Sequence, residues 1–125
     1  MKHVHTEGAP SPAGHYSQAI VHTGLVFVSG QLPIGPDGTP LDAAPVEEQT
    51  RVVLDNVRAI LTAAGSGLER VLQVTIYVSD IAHWPAVNEA FAAAFGDHRP
   101  ARAVVPVPAL HHGVALEVQA IAAVR

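Results

Sequence analysis

At 125 residues, 49% apolar and only 14% charged, the chain is one domain long and too hydrophobic to be disordered. Seven Lys+Arg against eleven Asp+Glu leave a net charge of −4 with no basic run, which argues against a nucleic-acid partner. The lack of Cys removes disulfides, thiolate nucleophiles and cysteine-ligated zinc from consideration.

Ten Pro and ten Gly exclude a coiled coil. No apolar run is long enough for a membrane span. The opening residues Met1-Lys2-His3-Val4-His5 lack the apolar core of a signal peptide, so the cytoplasm is the expected compartment and no membrane partner is expected. Sparse charge on a small domain predicts that part of its surface is covered by another subunit.

In chain order, Ser17–His22 and Leu25–Ser29 are short β-rich runs joined by Thr23-Gly24, a hairpin signal. Gln31–Pro40 holds three Pro and two Gly and reads as a loop. From Pro45 to Ala64 the apolar residues Val46, Val53, Val57, Ile60/Leu61 and Ala64 recur at helical spacing. Pro45 suits the first turn and Gly65 the position past the end. Val71–Val78 alternates, with Leu72, Val74, Ile76 and Val78 expected inward and Gln73, Thr75 and Tyr77 outward. Asp80 is placed to cap a second helix to about Phe95, with Trp84, Val87, Phe91 and Phe95 as its apolar stripe and Gly96 as its stop.

Two strands close the chain, Ala101–Val107 and Ala115–Ala122. Pro106 and Pro108 put the end of the first at a sheet edge. The order ββ-α-β-α-ββ makes residues 1–125 a single α+β domain, with two helices packed on one face of a mixed sheet. The other face would carry Gln73, Thr75, Tyr77, Glu117 and Gln119. It suits either a solvated surface or a subunit interface holding a ligand site.

Arg102 enters the apolar run Ala103-Val104-Val105. An Arg there is costly without an anionic partner, and its planar fork suits a carboxylate. The partner is either a ligand or Glu117. Glu117 lies mid-strand and is a candidate general base or water-orienting group, unless it simply faces solvent. The loop stretches Pro12–Ser17 and Ser29-Gly30-Gln31 flank the hairpin and offer backbone to a ligand. Asn88 falls near the stripe of the second helix, where packing is the plainer role. Eight His are present, but His3 and His5 lie in a terminus expected to be mobile and His111-His112 are adjacent in a turn, so no metal site is expected. No phosphate-binding glycine motif or serine-hydrolase elbow appears.

The sequence resembles the reactive intermediate deaminase family (Rid, YjgF-like), and its RidA subgroup in particular. The resemblance rests on Gly14-His15-Tyr16-Ser17-Gln18-Ala19, Val28-Ser29-Gly30-Gln31-Leu32-Pro33, Gln49-Thr50, Leu54-Asp55-Asn56-Val57, Ala63-Ala64-Gly65, Val87-Asn88, Pro100-Ala101-Arg102 and Leu116-Glu117-Val118-Gln119-Ala120-Ile121-Ala122. It implies a chorismate-mutase-like homotrimer with sites at subunit interfaces. It also implies cofactor-free hydrolysis of reactive enamines and imines (2-aminoacrylate, 2-iminopropanoate, 2-iminobutanoate) to 2-keto acids and ammonia. Carried over by position, Arg102 grips the substrate carboxylate and Glu117 orients or activates water. Tyr16, Ser29, Asn88 and Val104 line the cleft.

The chain departs from the family pattern in several places. His15 stands where Pro is frequent, Ala103-Val104 where Ser-Cys is frequent, Gln119 where a second Glu is frequent, and Arg99 where an aromatic or aliphatic residue is common. The segment before Pro100 is short. These changes bear on substrate preference. Some family members carry ribonuclease names, a reading the acidic balance does not support. The alternative to an enzyme is a non-catalytic trimer that binds a small carboxylate and regulates a partner.

Overall fold

The computed structural model describes residues Met1–Arg125. The strands are β1 (Lys2–Val4), β2 (Ala19–His22), β3 (Leu25–Gln31), β4 (Val71–Val78), β5 (Ala101–Pro106) and β6 (Leu116–Ala123). The helices are α1 (Val46–Ala63) and α2 (Trp84–Phe95). One six-stranded sheet runs in the order β1-β2-β3-β6-β4-β5. Only the β4–β5 pair is parallel, as its helical crossover requires.

Local chemistry sets these elements. Thr23 and Gly24 both take positive φ, 49° and 81°, which gives the β2–β3 hairpin a two-residue turn of the primed kind. Pro45 sits at the N-cap of α1, and Glu47 and Glu48 in its first turn face the positive end of the helix dipole. Gly65, at φ 79°, lets the chain leave the helix. Asp80 accepts a hydrogen bond from the Ala82 amide at 2.8 Å. It caps a single 3-10 turn, Ile81–His83, that feeds α2.

Both helices cover one face of the sheet. Val53, Leu54, Val57, Ile60 and Leu61 of α1 and Val87, Phe91 and Phe95 of α2 are buried there with Val26, Val74, Ile76, Leu116 and Val118. Burying side chains of this size contributes about 1.5–3 kcal/mol each before entropy is counted. The opposite face carries Gln73, Thr75 and Tyr77 of β4 beside Ile121, Gln119 and Glu117 of β6, with Phe27 of β3 opposite Ile121. No helix crosses it.

Four expectations need correction. First, the N-terminus is not a loose tail. Residues 2–4 pair antiparallel with β2, and His3 Nδ1 hydrogen-bonds Ser17 Oγ at 2.8 Å. The three-residue strand is too short to show a period, which is why the sequence hid it.

Second, Leu72 does not point into the core. A bulge between Val71 and Gln73 inserts it opposite β6. Val71 takes the inward place at 1% exposure, and Leu72 stands 49% exposed. Third, Trp84 is no part of the buried stripe. At 41% exposure it stands at the first position of α2. Fourth, β2 starts at Ala19 rather than Ser17. Gln18 instead turns inward, 1% exposed. Its amide accepts from the Thr6 amide (2.7 Å) and donates to the Thr6 and Pro10 carbonyls (3.0 Å each).

Candidate active site

Glu117 lies mid-strand in β6 on the open face, opposite Tyr77 of β4. It lines a cleft of about 360 Å³ with Tyr16, Ser29, Gly30, Leu32 and His111. Burial raises its carboxyl above the ordinary carboxylate value, while the nearby His111 pulls the other way and is outweighed. The cleft exists because of a second bulge. The β3–β6 register shifts between Val28 and Gln31, which turns Ser29-Gly30 out of the regular ladder.

Gly30 lies so close to Glu117 that a Cβ there would collide with the carboxylate, meeting its Cδ at 3.0 Å. Ser29 is fixed twice. Its hydroxyl donates to the Ser17 carbonyl at 2.6 Å and its amide to the Gln18 carbonyl at 2.9 Å. Tyr16 is 52% exposed at the rim. Buried amides brace the loops around it. Gln49 of α1 accepts from the Ala115 amide at 2.8 Å, just before β6. Asn56 donates to the Ile34 carbonyl at 3.0 Å, just after β3.

Arg102 occupies different ground. In the parallel pair it lies beside Val74, whose side chain is buried under the helices. It therefore points to the helix side of the sheet, and Glu117 to the other. Its Nη2 donates to Asn88 Oδ1 of α2 at 3.0 Å. The guanidinium sits over the Phe91 ring, 4.8 Å from the centroid, and 5.7 Å from that of Trp84. A cavity of about 550 Å³ opens beside it, lined also by Asn88, Phe91, His98, Arg99 and Pro100.

The expected set therefore divides. Tyr16, Ser29 and Glu117 share one cleft, and Asn88 and Arg102 share another. Val104 joins neither and packs, half-buried, against the core. An ion pair between Arg102 and Glu117 does not form; the chain's four ion pairs involve only Arg51, Arg58 and Arg125. Asn88 proves to be more than packing, because it holds the guanidinium. Leu32 and His111 line the cleft without having been candidates from the sequence, whereas Gly30 was expected there as loop backbone. His111 reaches the cleft through a turn in which His112 takes φ 62°, and nothing in the sequence marks that. No group of three or more potential ligand side chains forms a metal centre. No helix is long and apolar enough to cross a membrane.

The six-stranded sheet with both helices on one face defines a chorismate-mutase-like α+β protein. More narrowly, the chain belongs to the Rid (YjgF-like) family: the model of that family, described as endoribonuclease L-PSP, matches residues 6–124. It is 43% identical over 119 residues to a RutC family protein of Pyrococcus horikoshii, covering 95% of this chain and 94% of that one. The crystal structure of the Rid-family protein YyfA from Yersinia pestis superposes with a TM-score of 0.94 at 39% identity, covering 98% of each chain. That of E. coli TdcF with bound serine superposes with a TM-score of 0.92 at 35% identity over 100% of both.

Proposed function

We propose that the protein is a cofactor-free hydrolase of the RidA type. It converts 2-imino acids such as 2-iminopropanoate and 2-iminobutanoate, and their enamine tautomers, to 2-keto acids and ammonia. Each site is completed between neighbouring subunits of a homotrimer. Membership of the Rid family supports imine hydrolysis in general. The observation that carries the finer reading is the segregation of Arg102 and Glu117. Each faces an open cleft, neither has an ionic partner in its own chain, and one chain cannot bring them together. A second copy can, with the open sheet face and the β5 edge as the surfaces that meet. A relative 35% identical binds serine, a small molecule with the carboxylate that Arg102 would clasp.

The chemistry asks little of such a site. The imine carbon is already electrophilic, so fixing the substrate and supplying one base suffices. Arg102 holds the carboxylate in two parallel hydrogen bonds while Asn88 and the Phe91 ring keep its fork in place. Glu117 takes a proton from the water that adds to the carbon, and the electron pair of the C=N bond moves to nitrogen, which is protonated. In the resulting carbinolamine the hydroxyl proton passes, by way of the Glu117 carboxylate, to the amino group, so that the C–N bond breaks, ammonia leaves and the keto C=O bond forms. A raised carboxyl suits this task, because a base works best near the operating pH.

The test is subunit complementation. Arg102→Ala and Glu117→Ala are each expected to lose the ability to speed the decay of 2-iminopropanoate generated by an amino-acid oxidase. Mixed and reassembled, the two inactive proteins should regain activity, since some interfaces then pair an intact Arg102 with an intact Glu117. Inactive mixtures of properly assembled chains would refute the shared site. A wild type that binds keto acids but leaves imines untouched would favour the regulatory carboxylate-binding alternative.

A further inference from the structure

The Arg102 cavity holds more positive charge than one carboxylate needs. Arg99 lines it as well, three residues before Arg102 and just outside β5. No Asp or Glu lines this cavity. The ion pairs of the chain leave both arginines unpaired. In a protein of net charge −4 with only seven Lys+Arg, two guanidiniums without counter-charge in one cavity are a concentrated arrangement.

The two are not equivalent. Arg102 is half-buried and fixed by Asn88 and Phe91. Arg99 is exposed and its side chain forms no hydrogen bond. His98 has its Nε2 engaged with the Val71 carbonyl at 2.7 Å, so that nitrogen is not free to meet the ligand's far end. One arginine is thus prepared for the acid group next to the reacting carbon. The other is free to meet a second acid group further along. A cavity of about 550 Å³ has room for both.

We propose that this site favours 2-imino acids carrying a second carboxylate, with Arg99 as the specificity-determining residue that receives it. The inference rests on the imine-hydrolase reading for its substrate but on the cavity alone for its charge pattern.

The wild-type protein is assayed with 2-iminoglutarate and with 2-iminopropanoate, each generated in situ from the amino acid by an oxidase. The KM for 2-iminoglutarate is expected to be about tenfold the lower, as one added charge-assisted contact implies. Arg99→Ala should erase that advantage, and Arg99→Lys should restore part of it. Equal KM values in the wild type, or an Arg99→Ala effect of the same size on both substrates, would overturn the proposal. Calorimetry with 2-oxoglutarate and pyruvate separates the two readings. Tighter, Arg99-dependent binding of 2-oxoglutarate with no imine turnover would sink the hydrolase and keep the dicarboxylate site. Equal binding of the two keto acids would sink the site whatever the turnover.

Discussion

The two clefts of this protein treat charge in opposite ways. Around Arg102 the charge is given a neutral hydrogen-bond partner and an aromatic face, and its side chain makes no ion pair within the chain. Around Glu117 the carboxylate is half-buried against the Gly30 backbone on the open side of the sheet, where desolvation raises its proton affinity. Had the two met within one chain they would have neutralised each other. The sheet keeps them apart, since β5 and β6, with β4 between them, present them on opposite faces. Under the proposed function, two charges held apart in this way would serve a substrate that brings its own carboxylate and needs a base.

The comparison is broken most completely at Arg102. Arg102→Ala removes a bidentate clasp worth about 1.5–3 kcal/mol per charge-assisted bond. A loss of kcat/KM of roughly a hundredfold or more is expected in the oxidase-coupled assay. On the other side, Gly30→Ala should cost roughly tenfold or more in kcat, because the new methyl displaces the Glu117 carboxylate. Circular dichroism should stay native, since Gly30 needs no left-handed backbone conformation. A fully active Gly30→Ala would show that Glu117 does not act from its present position.

Asn88 sharpens the comparison at smaller cost. Asn88→Ala leaves the guanidinium but frees its fork, so KM should rise about tenfold with kcat less affected. Asn88→Asp would instead occupy Arg102 with an internal acid and should bind keto acids worse than Asn88→Ala. The reverse order would mean that Asn88 meets the substrate directly.

The smallest effect concerns stability. The folded chain holds the Glu117 proton more tightly than the unfolded chain does. The stability linked to that proton is therefore present below the ordinary carboxylate range and lost as pH rises through the raised value. Glu117→Gln should raise the thermal midpoint by about 2 °C near pH 7 and leave it unchanged near pH 3. A lowered midpoint at neutral pH would show that the carboxylate is stabilised by contacts rather than burdened by burial. The same shift requires wild-type activity to fall, on acidification, at a higher pH than an ordinary carboxylate would give.

Much of the fold was legible because its signals are local. The period of Val53, Val57, Ile60 and Ala64, the Thr23-Gly24 turn and the prolines at the end of β5 each act within a few residues. The failures have a common cause. The bulge that expels Leu72 and the one that opens the cleft at Gly30 are events of pairing with β6, and β6 lies far along the chain. β1 is a strand only because β2 lies beside it. The alternation of Leu116, Glu117 and Val118 already put Glu117 on the open face, but which face Arg102 would take depended on the register of β5 against β4.

The sequence by itself determined the alternation of elements, the apolar faces that must be buried and the identity of the charged groups at stake, because periodicity and desolvation cost are properties of short stretches. The tertiary structure alone decided that the guanidinium and the carboxylate lie on opposite sides of one sheet. Sheet register is a long-range property, and a shift of a single residue reverses the face a side chain occupies.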